Sequence, residues 1–282
     1  MPELPEVEIT ARLLDAAVRG ARVRQALAPG INALRSIEPP LEALAGSAIE
    51  RIDRRGKLLL VGLDGDLALV IHLMSAGRLQ LFERPASSRD RSSRLLLRLE
   101  DGRELRLREF GTRQRAWVKL VGREELAGEP ALAELGPDAW PQPPEDFAVL
   151  LDQPRPLYAL LRDQRVLAGI GRSWVDEILH AARLSPFRRG AELSAGEAAA
   201  LRAATVAILG GAIEHYERTL SLPIPDKLPM PLRIHRRAGE PCPRCGERLE
   251  AVFYEEYVMC YCPVCQTGGR VLKDRRLSRL LK

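Results

Sequence analysis

Met1-Pro2-Glu3-Leu4-Pro5-Glu6-Val7-Glu8 opens a chain of 282 residues. Methionine before a small residue is normally trimmed, which makes Pro2 the expected mature terminus. An α-amino group has an unperturbed pKa of about 7.7–8.0, so part of the Pro2 amine is neutral and nucleophilic near pH 7. An amine that attacks a sugar or aldehyde carbon gives a Schiff base, and the adjacent Glu3 carboxylate can move the protons. From Pro5 to Val18 the apolar residues Val7, Ile9, Leu13, Leu14 and Ala17 share one face, and Gly20 follows as a stop. That pattern predicts a helix. The amine then stands just ahead of a helix N-terminus, where the partial positive charge lowers its pKa. The competing reading is an ordinary chain that happens to begin Met-Pro-Glu.

Beyond this helix, 21–121 reads as β-structure. Leu58–Val61 and Leu67–Ile71 flank Asp64-Gly65, and Leu95–Leu99 and Leu105–Leu107 flank Asp101-Gly102. Both are hairpin signals. Alternating and continuous apolar strands together predict a two-layer sandwich. Gly136–Pro144 is the clearest linker. After it come short helical stretches at Phe147–Asp152 and Arg155–Arg162, the Gly169-Ile170-Gly171 break, a helix at Ser173–Ala182 and an Ala-rich helix over 195–218. Ser194 and Glu197 make its capping box.

All five cysteines lie between Cys242 and Cys265. A disulfide scaffold would spread them, so a local metal site is the better reading. Cys242-Pro-Arg-Cys245 and Cys262-Pro-Val-Cys265 are two C-x-x-C turns with 16 residues between them. Four thiolates satisfy one tetrahedral zinc and leave no open position, so a single structural Zn²⁺ on a β-hairpin is expected. Cys260 reads as a spare strand residue.

The chain is 46% hydrophobic and 29% charged, a globular balance, with a net charge of +5 that permits nucleic-acid binding. Arginines cluster at Arg51–Lys57, Arg103–Arg115, Arg183–Arg189 and Arg233–Arg237, and Arg is the better fork for phosphate. No apolar run approaches the roughly 18 residues of a membrane span, and the acidic start lacks a signal-peptide core. A cytoplasmic protein without a membrane partner is expected.

Together, the Pro2–Glu8 start, Gly56-Lys57, Gly169-Ile170-Gly171 with Glu177, and the four-cysteine hairpin resemble the formamidopyrimidine-DNA glycosylase/endonuclease VIII family. The resemblance runs nearly to Gln266 and is closer to the formamidopyrimidine branch. It implies an α+β multidomain fold: an N-terminal helix and β-sandwich over 1–130, a linker over 131–146, a helix–two-turns–helix DNA-binding domain over 147–232, a zinc finger over 233–267 and a basic tail over 268–282. It also implies double-stranded DNA with a damaged base or abasic site as partner, bound by a monomer. Pro2 becomes the nucleophile at the deoxyribose C1′ and Glu3 the acid/base. Glu6 becomes an organising carboxylate and Lys57 a phosphate-gripping lysine. His72 lies near the same phosphates. Arg108 and Phe110, in Arg108-Glu109-Phe110-Gly111, match wedge side chains that fill the gap left by an extruded nucleotide. Glu177 matches a carboxylate near the lesion pocket. The competing readings are a solvated helix acid for Glu6, a surface lysine for Lys57, strand core for Phe110 and a structural carboxylate for Glu177.

Several positions depart from the family pattern. Arg172 replaces an Asn that contacts phosphate. Met74 stands one place before the family's third wedge, and a one-residue shift in a strand reverses the face. Tyr257 occupies the position of a DNA-reaching Arg on the zinc hairpin. Glu214–Leu232, a lesion-recognition loop rich in Gly, Thr and Lys in the formamidopyrimidine branch, is here proline-rich. Residues 268–282 extend past the usual end and could form a short helix.

The resemblance implies a bifunctional DNA glycosylase/abasic-site lyase acting on an oxidised base, purines first, with β,δ-elimination of the strand. A lyase acting mainly on abasic sites or oxidised pyrimidines is the nearest alternative. A non-catalytic DNA-damage-binding protein on the same scaffold would suit Arg172, Tyr257 and the changed loop, but not the intact Pro2-Glu3 pair. An unrelated zinc-ribbon protein would explain the cysteines alone.

Overall fold

The computed structural model describes residues 2–30, 32–110, 113–254 and 256–273. The chain divides into two compact units, Met1–Glu134 with Ile213–Pro229, and Leu135–Ala212 with Met230–Lys282.

The first unit begins with α1 (Leu4–Val18), one residue earlier than the apolar pattern alone suggests. Glu3 is its N-cap in extended backbone (φ −116°, ψ −171°), and Pro5 sits in the first turn, where a missing N–H costs nothing. Gly20, at φ +82°, ends the helix in a conformation that L side chains avoid. Eight strands follow: β1 (Val23–Leu27), β2 (Ile49–Arg55), β3 (Leu58–Leu63), β4 (Leu67–His72), β5 (Gly77–Phe82), β6 (Ser93–Leu99), β7 (Glu104–Glu109) and β8 (Trp117–Gly122). They form two antiparallel four-stranded sheets, ordered β1-β6-β7-β5 and β2-β3-β4-β8. The expected hairpins are β3–β4 and β6–β7, with Gly65 and Gly102 at positive φ in their turns.

Leu59, Val61, Leu69 and Ile71 of one sheet, and Leu79, Leu95, Leu97 and Leu107 of the other, belong to one buried core. Val7, Leu14 and Val18 of α1 join it, as do Ile224 and Leu228 from the proline-rich stretch. Burying each such side chain contributes roughly 1.5–3 kcal/mol. The stretch read as a loop is therefore part of the sandwich core. A short α2 (Pro130–Ala133) precedes the second unit.

That unit carries α3 (Phe147–Leu151), α4 (Leu157–Arg162), α5 (Arg172–Ala181) and most of α6 (Ala195–Thr219). The capping box at Ser194 is present: Ser194 N–H donates to Glu197 Oε2 at 2.8 Å, and Glu197 N–H donates to Ser194 Oγ at 3.2 Å. By length and composition α6 passes for a membrane span, with a mean hydropathy of 1.3 over 18 residues. Arg202 nevertheless donates from the N-terminal third of the helix to the Pro143 and Pro144 carbonyls, at 2.9 Å each, so that face lies against protein. β9 (Glu250–Tyr254) and β10 (Tyr257–Tyr261) form the expected hairpin, and α7 (Pro263–Thr267) follows. Gly268 and Gly269 turn the chain and 271–273 is irregular. Most of the helix expected in 268–282 lies outside the described residues, as do Met1 and Gly111.

Candidate active site and metal centre

Glu3 and Glu6 form a reciprocal capping box at the start of α1: Glu6 receives the Glu3 N–H on Oε2 at 2.8 Å, and Glu3 receives the backbone of Glu6. Both are buried, Glu3 at 1% and Glu6 at 2% exposure, so Glu6 is not a solvated helix acid. The second Glu6 oxygen, Oε1, accepts the phenolic O–H of Tyr216 at 2.8 Å. Tyr216 lies in the last turns of α6, within the first unit, and is fully buried. Burial first, and then Glu6 and Glu3, push its phenol well above the usual range, so it stays a donor. The peptide joining Pro2 to Glu3 is thus fixed by Glu6, and Glu6 is oriented by Tyr216.

No feature of the sequence marked Tyr216. Removing its hydroxyl leaves a buried carboxylate oxygen one donor short, which costs about 1–3 kcal/mol. Tyr216→Phe is expected to lower the melting temperature and to move the acid limb of the pH–rate profile upward, because a carboxylate that loses a donor binds protons more tightly. An unchanged profile in a folded variant would show that Tyr216 only fills space.

Lys57 is 8% exposed at the entry to β3, and is not a surface lysine. β3 pairs with β4, which places Leu58 opposite His72. The Met74 N–H donates to His72 Nδ1 at 2.8 Å, so the neutral ring carries its proton on Nε2. Burial, then Lys57 and Arg35, hold His72 down to about 4, so the ring is a neutral donor at physiological pH. It stacks on Trp117 (5.8 Å between centroids), and Arg35 covers that indole at 4.3 Å. Met74 sits in the turn after β4 at φ +48°, a left-handed conformation uncommon for its side chain. The one-residue displacement is therefore absorbed in a turn, not in a strand.

Arg108 lies on β7 with its guanidinium 4.6 Å from the Phe110 ring. Phe110 is half-buried just past the strand and is not core.

In the second unit, Gln164 shapes the Gly169–Gly171 turn: its Oε1 accepts the Gly169 N–H at 3.0 Å, and its Nε2 donates to the Ile170 carbonyl at 2.9 Å. Gly171 then caps α5, which places Arg172 in the first turn. The guanidiniums of Arg172 and Arg162 lie 5.3 and 3.9 Å from the Tyr257 ring. Two departures from the family motif, Arg172 and Tyr257, are therefore neighbours. The uncharged hairpin residue is flanked by two cations held by cation–π attraction.

Glu177 has a structural partner set. Its Oε1 accepts the N–H groups of Arg233, Ile234 and His235 at 3.1, 2.8 and 2.9 Å. Beside it Asp176 accepts from His235 Nδ1 at 2.7 Å, while burial pushes that carboxyl up to about 6. Together these acids tie α5 to the strand of chain entering the cysteine lobe.

The sulfurs of Cys242, Cys245, Cys262 and Cys265 lie within 4.8 Å of one another. Thiolates bound at about 2.3 Å around a tetrahedral ion are separated by a similar distance. The donor set fits one metal ion. His180 Nε2 lies 3.2 Å from Cys242 Sγ, as an outer partner of a ligand does. The sequence reading missed His180, which is 62 residues from that cysteine.

Family models for the formamidopyrimidine-DNA glycosylase N-terminal domain and H2TH domain match residues 1–114 and 135–223. A formamidopyrimidine-DNA glycosylase of Thermus thermophilus is 38% identical over 282 residues, covering 95% of this chain and 100% of the relative. The chain belongs to the formamidopyrimidine-DNA glycosylase family. Among solved members, the Lactococcus lactis enzyme in complex with DNA containing N7-benzyl-Fapy-dG superposes with a TM-score of 0.83 at 25% identity, covering 94% of this chain and all of that one. The same enzyme with DNA containing an abasic site gives 0.82 at 25% identity, covering 94% and 99%. Membership accounts for the α+β architecture, and for the helix, sandwich, helical unit and four-cysteine hairpin in their order along the chain.

Proposed function

We propose that this glycosylase is bifunctional, excising an oxidised base and then opening the strand at the abasic site. The observation that carries this reading is the buried Pro2-Glu3 turn, locked by Glu6 and Tyr216. The Pro2 nitrogen attacks the deoxyribose C1′, the glycosidic bond breaks, and the base leaves with a proton. Glu3 delivers and removes protons on the sugar. Opening of the ring gives an iminium joined to Pro2. Loss of a C2′ proton expels the 3′ phosphate, and a second elimination expels the 5′ phosphate. Lys57 and His72 grip the phosphates flanking the site, one as a cation and the other as a neutral donor. Arg108 and Phe110 occupy the space vacated by the extruded nucleotide. Arg172, with Tyr257, holds backbone phosphate in place of the family's Asn and Arg. One zinc, held by Cys242, Cys245, Cys262 and Cys265, shapes the hairpin and takes no part in the chemistry. The enzyme works as a cytoplasmic monomer on double-stranded DNA. Oxidised purines lead as substrates, with abasic sites and oxidised pyrimidines next.

Borohydride reduction during incubation with an abasic-site duplex tests this. The expected result is a covalent adduct that disappears in Pro2→Gly, with intact mass showing loss of Met1. Duplex binding without any adduct, in protein that has lost Met1, would replace the lyase by a DNA-damage-binding protein. DNA affinity depends on salt, so both arms are run at one stated ionic strength.

A further inference from the structure

The register of β5 with β7 sets Arg78 directly opposite Arg108, and Gln80 opposite Arg106. Like charges directly opposite each other destabilise a sheet. Glu6 faces Arg78 and Asp90 faces Arg108, whose Nε also donates to Ser92 Oγ at 3.4 Å, and a further carboxylate arrives from far along the chain. Asp226 Oδ1 accepts from Arg108 Nη1 and from Gln80 Nε2, both at 3.1 Å, and the Asp226 carbonyl accepts from Arg78 Nε at 2.9 Å. The segment carrying Asp226 is docked. Gln80, only 3% exposed, donates to the Ile224 carbonyl at 2.5 Å, and Ile224 and Leu228 are buried in the sandwich core. Pro223, Pro225 and Pro229 further restrict its backbone.

We propose that Asp226 is a specificity-determining positioning residue. The fixed strap of 220–229 presents its carboxylate to Arg108 and keeps the Arg108–Phe110 pair stacked for entry into an opened base stack. The inference rests on the DNA-glycosylase reading and goes beyond it. A free guanidinium pairs with the phosphates of any duplex, adding affinity that carries no information about the site. Held by Asp226 and stacked on Phe110, Arg108 is kept off intact duplex, and its side-chain order is already in place when a gap is offered.

The test is binding of the full chain to an undamaged duplex and to one bearing a tetrahydrofuran abasic analogue, across a salt series. In Asp226→Asn, the slope of log affinity against log salt on undamaged duplex should steepen by about 0.9, one extra phosphate contact, and the abasic-to-undamaged affinity ratio should fall roughly threefold or more. Asp226→Glu, which keeps the charge, should restore much of the ratio. Arg108→Gln alone should lower the ratio while leaving the undamaged slope at its wild-type value, because Arg108 is already held off phosphate. This second variant decides the matter if Asp226→Asn melts early. An unchanged slope and ratio in folded Asp226→Asn, or a slope about 0.9 shallower in Arg108→Gln, would overturn the proposal. Borohydride trapping of the wild-type protein on a separate duplex with a natural, aldehyde-bearing abasic site, since the tetrahydrofuran analogue cannot form an iminium, keeps the two failures apart. Absent trapping defeats the lyase reading, whereas trapping with unmoved slopes defeats only the role of Asp226.

Discussion

Glu3→Gln is expected to fold as the parent does and to lose about 10²- to 10⁴-fold in the rate of base excision, the range typical of removing a general acid/base. The separation of the two effects follows from the double duty of this residue. Glu3 is the N-cap of α1 and is 1% exposed, and in the proposed mechanism it is also the acid/base beside Pro2. Glutamine keeps a carbonyl oxygen in the same place, so it can still accept the backbone N–H of the capping box. Loss of a cap outright, as in Glu3→Ala, would cost about 0.5–2 kcal/mol. Glutamine also removes one of the two buried carboxylates whose charge acts on Tyr216. What it cannot do is release or take up a proton. Single-turnover excision from an oxidised-purine duplex, run beside a thermal melt, measures both sides. Excision at the parental rate in Glu3→Gln would remove Glu3 from the proton chemistry, leaving it a cap alone.

The parts of this fold legible in the sequence are those governed by near neighbours. The Asp64-Gly65 and Asp101-Gly102 turns need positive φ and lie between apolar strands, so both hairpins could be read directly. Ser194 and Glu197 close a box within one helical turn. The four cysteines carry their own geometry in their spacing. What escaped were contacts between groups far apart in the chain. Tyr216 meets Glu6 across 210 residues, and the weak apolar periodicity of the Ala-rich α6 gave no sign of which face would be buried. Gln80 meets Ile224 across 144 residues, and four prolines near that contact read as an irregular loop because prolines report backbone restriction and say nothing of docking. Glu177 was legible as an important carboxylate, but its three backbone donors belong to a segment 56 to 58 residues away. The four clustered cysteines could thus be named from their spacing, while residues that meet their partners across the chain, such as Tyr216 and Gln80, could not.

Removal of the metal should have the largest effect on stability. The lobe also buries Val252, Met259 and Tyr261 and is tied to α5 through Glu177 and Asp176, but the cluster at its centre is built largely of cysteines: Ile234, Leu249, Cys242, Cys260 and Cys262, with Cys265 packed against it. Without the metal, the remaining contacts must offset the ordering of residues 233–267, whose backbone alone costs roughly 1–2 kcal/mol per residue. Structural zinc in comparable small lobes contributes an apparent ~10–16 kcal/mol near neutral pH. The purified protein should therefore hold one zinc per chain. Chelation, or Cys262→Ser, should release it, open 233–267 to proteolysis and weaken binding to abasic DNA. Cys262 is the telling position because it is fully buried, caps α7 and accepts the Cys265 N–H at 3.4 Å. Cys260→Ala supplies the contrast. Cys260 lies on β10 outside the four-sulfur cluster, and its N–H, not its sulfur, is what Asp176 accepts. That variant should keep the full zinc content. Zinc retained at one per chain in Cys262→Ser, or lost in Cys260→Ala, would show that the ligand set is not the four cysteines of the two C-x-x-C turns.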